Sequence, residues 1–398
     1  KEAKYLIGYI AESGHKVRLF SSRTQKDSVC YPEAARWLIY INSFDASPGG
    51  RPSSTGITIK GYGLAWLSQL GLIWASGSNL FETLMLNLVV TANGQTWDKP
   101  NVIWEQDIIY DAEFLLDTEP AFPIEPSELL TMQFRRIQLI KCEEKHCVTG
   151  YLLWSGQSLE IEHATKLEMM TVWRRNKDGN IVPRLHDESR QMWRDFSAMF
   201  SVSAKEDRPG IVNWIDLLKS DGLVQLPFVR FNTAGVKYTQ RTAVADMFTD
   251  NLKINLSLFT SLGEKWVNRI IDEIETTEKL VNQVGYLAQN LAKAAGDSDG
   301  YNIRDSAKEQ AYFRLDAPFR RWLGEIIPEQ HNIDDSCNQW REQAKTIIRK
   351  LGKELVDQSS PQAFVGRYVK EKTRGQEVKR RYTAPEAYNQ FLYWTSKQ

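Results

Sequence analysis

The chain has 398 residues, with 50 lysines and arginines against 50 aspartates and glutamates, so no global field draws it onto nucleic acid or a membrane. Polyanion binding has to come from local patches. With 42% hydrophobic residues it has the apolar content for two or three domain cores, which excludes disordered and collagen-like classes. No apolar run approaches the roughly 18 residues of a membrane span; the best, Leu80–Val90, is broken by Glu82 and Asn87, so a soluble protein without a membrane partner is expected.

The first residues lack an initiator methionine, and Tyr5–Ile10 read as the middle of a packed element, which predicts further chain upstream. Lys1–Tyr9 carries neither the apolar stretch nor the cleavage site of a secretory signal. Pro32–Tyr40 places proline at a first helical turn ahead of good helix formers, predicting a helix. Ser47–Gly56, rich in glycine and proline, is a loop that can approach a ligand closely. Leu80–Val90 is expected to be helical, followed by a proline-punctuated loop through Pro120–Pro126. Alternating residues in Arg136–Lys141 and Val148–Trp154 around a polar turn, Glu143–His146, predict a β-hairpin. A second hairpin is expected from Leu226–Asn232 and Val236–Thr242, turning at Thr233-Ala234-Gly235.

Beyond Leu256 the strand signal gives way to helical periodicity. Leu258–Ala295 spaces Trp266, Ile270, Ile274, Leu280, Val284 and Leu287 between charges, and Tyr301–Ile327, Ile333–Leu355 and Ala384–Trp394 are further amphipathic stretches. Breaks at Gly296–Gly300, Pro328 and Ser359–Pro361 separate them, predicting a four-helix bundle. The fold class is therefore α+β: a mixed α/β domain with β-hairpins over residues 1–255, then a four-helix bundle over 256–398.

Four cysteines, Cys30, Cys142, Cys147 and Cys337, are too sparse for a disulfide framework and point to a reducing cytoplasm. Cys142 and Cys147 bracket His146, but no second knuckle completes a zinc site. His186-Asp187 resembles a metal-binding doublet, with a solvated loop as the plainer reading. No phosphate-binding loop, dinucleotide fingerprint or nucleophile elbow occurs, so no cofactor and no enzymatic activity is expected. Between Arg367 and Arg381 the chain carries Arg367, Lys370, Lys372, Arg374, Lys379, Arg380 and Arg381 against Glu371 and Glu377, a local net charge of +5. A solvated loop and a phosphate-backbone contact are both open readings of it. The 13 tryptophans form no stacking array and are expected mostly in cores.

Several segments, in order along the chain, resemble the CasA family, the large subunit of the type I-E CRISPR Cascade surveillance complex. They are Pro32–Leu38 leading to Gly49-Gly50, Leu80–Leu88, Gln133–Leu139, Met170–Arg175, Arg190–Arg194 and Pro318–Leu323. The resemblance implies a subunit without chemistry of its own that reads the protospacer-adjacent motif from the minor groove of duplex DNA, begins strand separation with a glutamine wedge and helps recruit a helicase-nuclease. Its implied partners are the other Cascade subunits with CRISPR RNA, double-stranded target DNA and that effector. On this resemblance Gln240 is the wedge with Thr239 beside it, Lys237 and Arg241 hold neighbouring phosphates, and Gly49-Gly50 lie against the minor groove, where the lack of a Cβ lets the backbone reach base edges. The family's third motif-reading lysine has no counterpart at Leu153-Trp154-Ser155-Gly156, and Val17–Ser21 resembles the loop that anchors the subunit to the RNA-bearing backbone. The bundle would contact DNA through the basic segment, with Arg374, Lys379 and Arg380 as contacts. The alternatives are a metal-dependent nucleic-acid-processing enzyme centred on His186, Asp187 and Glu188, or a purely structural assembly subunit.

Overall fold

The computed structural model describes residues 27–44, 65–92, 95–96, 99–105, 120–159, 161–200, 206–238, 244–260, 262–297, 299–373 and 376–398. The chain divides into two compact units, the first of residues 1–190, 203–224 and 230–251, the second of 191–202, 225–229 and 252–398.

In the first unit the predicted hairpin forms from β3 (Arg135–Cys142) and β4 (Cys147–Ser155), with Ile137 opposite Leu153 and Leu139 opposite Tyr151. His146 closes its turn with a positive φ of 45°. β1 (Val29–Cys30) pairs with the other edge of β4, and α1 (Tyr31–Phe44) lays Ala34 and Ile41 against Val29, Val148 and Tyr151. A second core gathers Leu70, Leu72, Leu129, Met132, Phe134 and Trp173.

β2 (Leu72–Ser76) pairs antiparallel with β7 (Phe228–Tyr238), which also neighbours β8 (Val244–Asn255); between β4 and β7 lie β5 (Trp173–Arg175) and β6 (Ile181–Pro183), themselves an antiparallel pair. This corrects the expected turn at Thr233-Ala234-Gly235, which is strand interior: Thr233 opposes Ile73 and Ala234 opposes Leu72. The reason is that burial alternates straight through the segment, with Phe231 and Thr233 both inside. Gly235 serves packing, because a Cβ there would stand 2.2 Å from the Phe248 ring. α2 (Leu80–Asn87) ends earlier than expected, since the Asn87 amide is drawn onto the Ala75 backbone, accepting from its N–H at 2.9 Å and donating to its carbonyl at 2.7 Å.

Glu168 is buried, and its Oε1 accepts the Met170 N–H at 2.9 Å. Burial pushes its carboxyl pKa up, outweighing the hydrogen bonds that favour the anion.

The second unit is the predicted bundle: α5 (Gly263–Ala295), α6 (Tyr301–Glu325), α7 (Ile333–Asp357) and α9 (Ala384–Lys397), preceded in the first unit by α3 (Pro126–Thr131) and α4 (Gly210–Ser220). All six residues of the apolar stripe, Trp266 to Leu287, are buried. Trp193 stacks on Phe319 at 4.3 Å, and Phe319 meets Trp340 edge-on at 4.9 Å. Each indole N–H here has an acceptor: Trp193 donates to Asp316 at 2.9 Å, Trp340 to the Thr277 hydroxyl at 3.1 Å and Trp322 to the Ser336 carbonyl at 3.0 Å. A glutamate buried to 1%, Glu273, pairs with Arg341.

The bundle also corrects the expectation that strands end near Leu256. After the short helix α8 (Pro361–Val365), β9 (Arg367–Thr373) and β10 (Gln376–Tyr382) form an antiparallel hairpin. Its charges read as a solvated loop in sequence, but Tyr368, Val369, Val378 and Tyr382 supply the aromatic and β-branched residues that favour strands.

Two measurements follow from this packing. Because the folded-state carboxyl pKa of Glu168 lies above its unfolded value of about 4.3, the native state holds a proton that the unfolded chain releases, and stability falls as pH rises above that value. Glu168→Gln is expected to flatten the decline of melting temperature between mildly acidic and mildly basic pH, and parallel wild-type and variant profiles would contradict it. Arg341→Ala leaves the Glu273 carboxylate buried and unpaired, at an expected cost of about 3–5 kcal/mol in chemical denaturation; a loss below about 1 kcal/mol would show that the charge finds another partner.

Candidate nucleic-acid interface

The hairpin β9–β10 carries the basic run of the sequence, and its position begins at a helix end. The last carbonyls of an α-helix have no partners within it. At the C-terminus of α5 Gly296, with φ 132°, and Asp297 both return their N–H groups to the Ala292 carbonyl. The Arg367 guanidinium takes the Lys293 carbonyl through Nε at 2.9 Å and the Asp297 carbonyl through Nη2 at 2.7 Å. A cation suits this place because the helix dipole leaves it partially negative. Arg367, the first residue of the basic run, is therefore consumed in holding β9 to the bundle.

From there the register sorts the side chains, since directly opposed residues lie on one face. Arg367 opposes Tyr382 and Val369 opposes Arg380, while Tyr368 opposes Arg381 and Lys370 opposes Lys379. Tyr382 is buried, with Lys293 Nζ at 5.1 Å and Arg380 Cζ at 5.3 Å from its ring. Tyr368 is exposed and carries Lys379 Nζ at 5.2 Å. Arg381 donates to the Val365 carbonyl at 3.3 Å.

The Lys370–Lys379 pair opposes equal charges across a strand pair, an arrangement that weakens the sheet on its own. Both residues are exposed, as is Arg380. Such a pair gains what it lost when an anion lies across it, and a phosphodiester backbone supplies such anions.

The other predicted positions fall as follows. Gly49, Gly50, Thr239, Gln240, Arg241 and Arg374 lie outside the described residues, as does Val17–Ser21. Lys237 is in β7, with its side chain outside them. Lys379 and Arg380 are consecutive on β10 and stand on opposite faces, Lys379 beside Tyr368, and Arg380 with Lys293 of α5 beside Tyr382; the sequence marked neither Tyr368 nor Lys293. Tyr368 was legible as an aromatic in alternation with lysines, whereas Lys293 comes near only through the fold.

The residues of the enzymatic alternative are otherwise engaged. Asp187 Oδ1 accepts the Ser189 N–H at 2.9 Å and its hydroxyl at 2.8 Å. Among the described residues no group of three or more His, Cys, Asp or Glu side chains is placed to hold a metal. Cys147 opposes both Cys30 and Cys142 in the sheet, all as free thiols.

Comparison with known proteins closes the assignment. A curated relative, "CRISPR-associated protein CasA/Cse1" of Thermus thermophilus, is 24% identical over 355 residues, an alignment covering 83% of this chain. The chain spans 65% of that relative's length. The crystal structure of Thermobifida fusca Cse1 superposes with a TM-score of 0.80 at 27% identity, covering 100% of this chain and 76% of the other. A chain of a structure described as "CRISPR RNA-guided surveillance complex" shares the fold, with a TM-score of 0.57 at 14% identity over 83% of this chain and 68% of the other. The family model for CRISPR-associated protein Cse1 matches residues 3–351, and the chain belongs to that family.

Proposed function

We propose that this chain is the DNA-recognition subunit of a type I-E Cascade complex, working in the cytoplasm with the other Cascade subunits and CRISPR RNA. The observation that carries this reading is the family match over residues 3–351. The likeness of the fold to a chain of an RNA-guided surveillance complex supports it. So does a basic hairpin anchored on a bundle in a chain of zero net charge.

In this reading the subunit performs no bond chemistry. Gly49-Gly50 lie against the minor groove and read the protospacer-adjacent motif through backbone groups, while Lys237 and Arg241 hold phosphates beside it. Gln240, with Thr239, occupies the space of a displaced base pair. An amide suits that task because it both donates and accepts hydrogen bonds, replacing what the opened bases lose. Energy for opening comes from binding and from heteroduplex formation, an exchange near balance that needs only a nucleating wedge. Lys370 and Lys379 on one face of the hairpin, and Arg380 on the other, then meet phosphates of opened DNA. Once the guide has paired, the same subunit helps recruit the helicase-nuclease.

Minor-groove reading discriminates poorly among A·T and T·A pairs, so tolerance of several related motifs follows. In a complex assembled from the remaining subunits and guide RNA, adding this chain is expected to confer binding to duplexes with an intact motif over scrambled ones. Gln240→Ala is expected to slow strand opening at the motif-proximal base pairs, followed by a fluorescent base analogue, by about tenfold or more. Binding indifferent to both the chain and the motif would overturn the reading.

A further inference from the structure

Beside the hairpin the second unit has an open cleft of about 410 Å³. One wall is α5, which contributes Gln283, Tyr286 and Asn290, spaced three and four residues apart and so on one helical face. The facing wall is α9, contributing Gln390 and Trp394 at the same kind of spacing. Arg380 of β10 stands at the rim. Leu287 and Phe391, which also line the cleft, are buried and make its floor apolar.

The chemistry of these walls is specific. Tyr286 is 55% exposed and Trp394 44% exposed, in contrast to Trp193, Trp266, Trp322 and Trp340, which are buried as the sequence leads one to expect. An exposed indole beside an exposed phenol leaves apolar ring surface in water unless a flat partner covers it. The Trp394 ring meets the Tyr393 ring edge-on at 5.3 Å. Three primary amides in one cleft bring donors and acceptors to the same place, the combination that pairs with the edge of a heterocyclic base. Among the described side chains Arg380 has the Tyr382 ring and no carboxylate partner, and its charge is free for a phosphate.

We propose that this cleft takes one unstacked base of a single-stranded nucleic acid, with Tyr286 and Trp394 as the stacking surface, the amides of Gln283, Asn290 and Gln390 on the base edge, and Arg380 on the adjoining phosphate. The proposal rests on the reading of the chain as a nucleic-acid-binding subunit and adds a ligand class and a site to it. Arg380 follows Lys379 on β10 and so stands on the opposite face of the hairpin, the one it shares with Val369 and Tyr382, and it is this face that supplies the cation lining the cleft. Non-specific single-strand sites combine the same two parts, a cationic track and aromatic platforms.

The test uses the full chain and a short labelled single strand, compared with the same strand carrying abasic sites. The intact strand is expected to bind about tenfold more tightly, the scale of one stacked base. Trp394→Ala should bring the intact strand to the abasic level while leaving the abasic strand unchanged, and Trp394→Phe should keep most of the difference. Arg380→Gln should weaken both strands alike. If Trp394→Ala proves unfolded by its thermal melt, Tyr286→Ala on the solvent side of α5 makes the same test. Equal binding of intact and abasic strands, an equal loss for both on removing the ring, or a free mononucleotide binding as tightly as the strand would each overturn the proposal. None of these outcomes touches motif-dependent duplex binding, whose failure alone would count against the broader reading.

Discussion

The open carbonyl end of α5 is the constraint on which the arrangement of the second unit depends. A helix of 33 residues ends there, and its last carbonyls need donors from outside the helix. Gly296, at a positive φ that glycine adopts without strain, turns the chain away, and Arg367 arrives from beyond α7 to supply the guanidinium. That contact fixes the first residue of β9. The register of the hairpin then follows, and with it the faces on which Lys370, Lys379 and Arg380 stand. A two-stranded hairpin is marginal alone in water, so its order here comes from this anchor and from Tyr382, buried beneath two cations.

A second consequence concerns charge. The chain as a whole is neutral, and several carboxylates of the second unit are paired within it: Glu273 on Arg341, Glu278 on Arg194, Glu354 on Arg314, and Asp316 on both Trp193 and Arg320. All but Asp316–Arg320, an i,i+4 pair within α6, tie one element to another. Among the described side chains of the hairpin, Arg367 and Arg381 donate to backbone carbonyls, while Lys379 and Arg380 face the Tyr368 and Tyr382 rings. Local positive charge coexists with zero net charge because cations are concentrated along the hairpin while acidic residues are spread over the rest of the chain.

Much of this was legible in the residues. The long helix of the bundle was marked by apolar positions three to six apart, and the helix ends by Gly296–Gly300, Pro328 and Ser359–Pro361, because glycine and proline disfavour continuing a helix. The hairpin β3–β4 was marked by alternation. The sequence misled at Thr233–Gly235, where small residues imitate a turn while Phe231 and Thr233 keep the strand's two-residue burial period. It misled again at Arg367–Tyr382, where charge density outweighed Tyr368, Val369, Val378 and Tyr382 in the reading. The basic character of the site was visible; its geometry was not. That Arg367 is a helix cap, and that Lys293 belongs beside Tyr382, depends on residues 70 and 89 positions apart meeting, which no local pattern encodes. The family resemblance was carried by ordered short segments, and the match over residues 3–351 bears it out.

The central claim is that the hairpin cations meet a nucleic-acid backbone. Its most direct test is the salt dependence of target-DNA binding by the assembled complex containing either the wild-type chain or the double variant Lys370→Gln, Lys379→Gln. Each lost phosphate contact lowers the slope of log affinity against log salt by about 0.9 on duplex and about 0.7 on single strands. The account predicts a slope reduced by between about 1.4 and 1.8 on that basis, with motif preference unchanged. An unchanged slope would contradict it, since the two lysines would then face no phosphate.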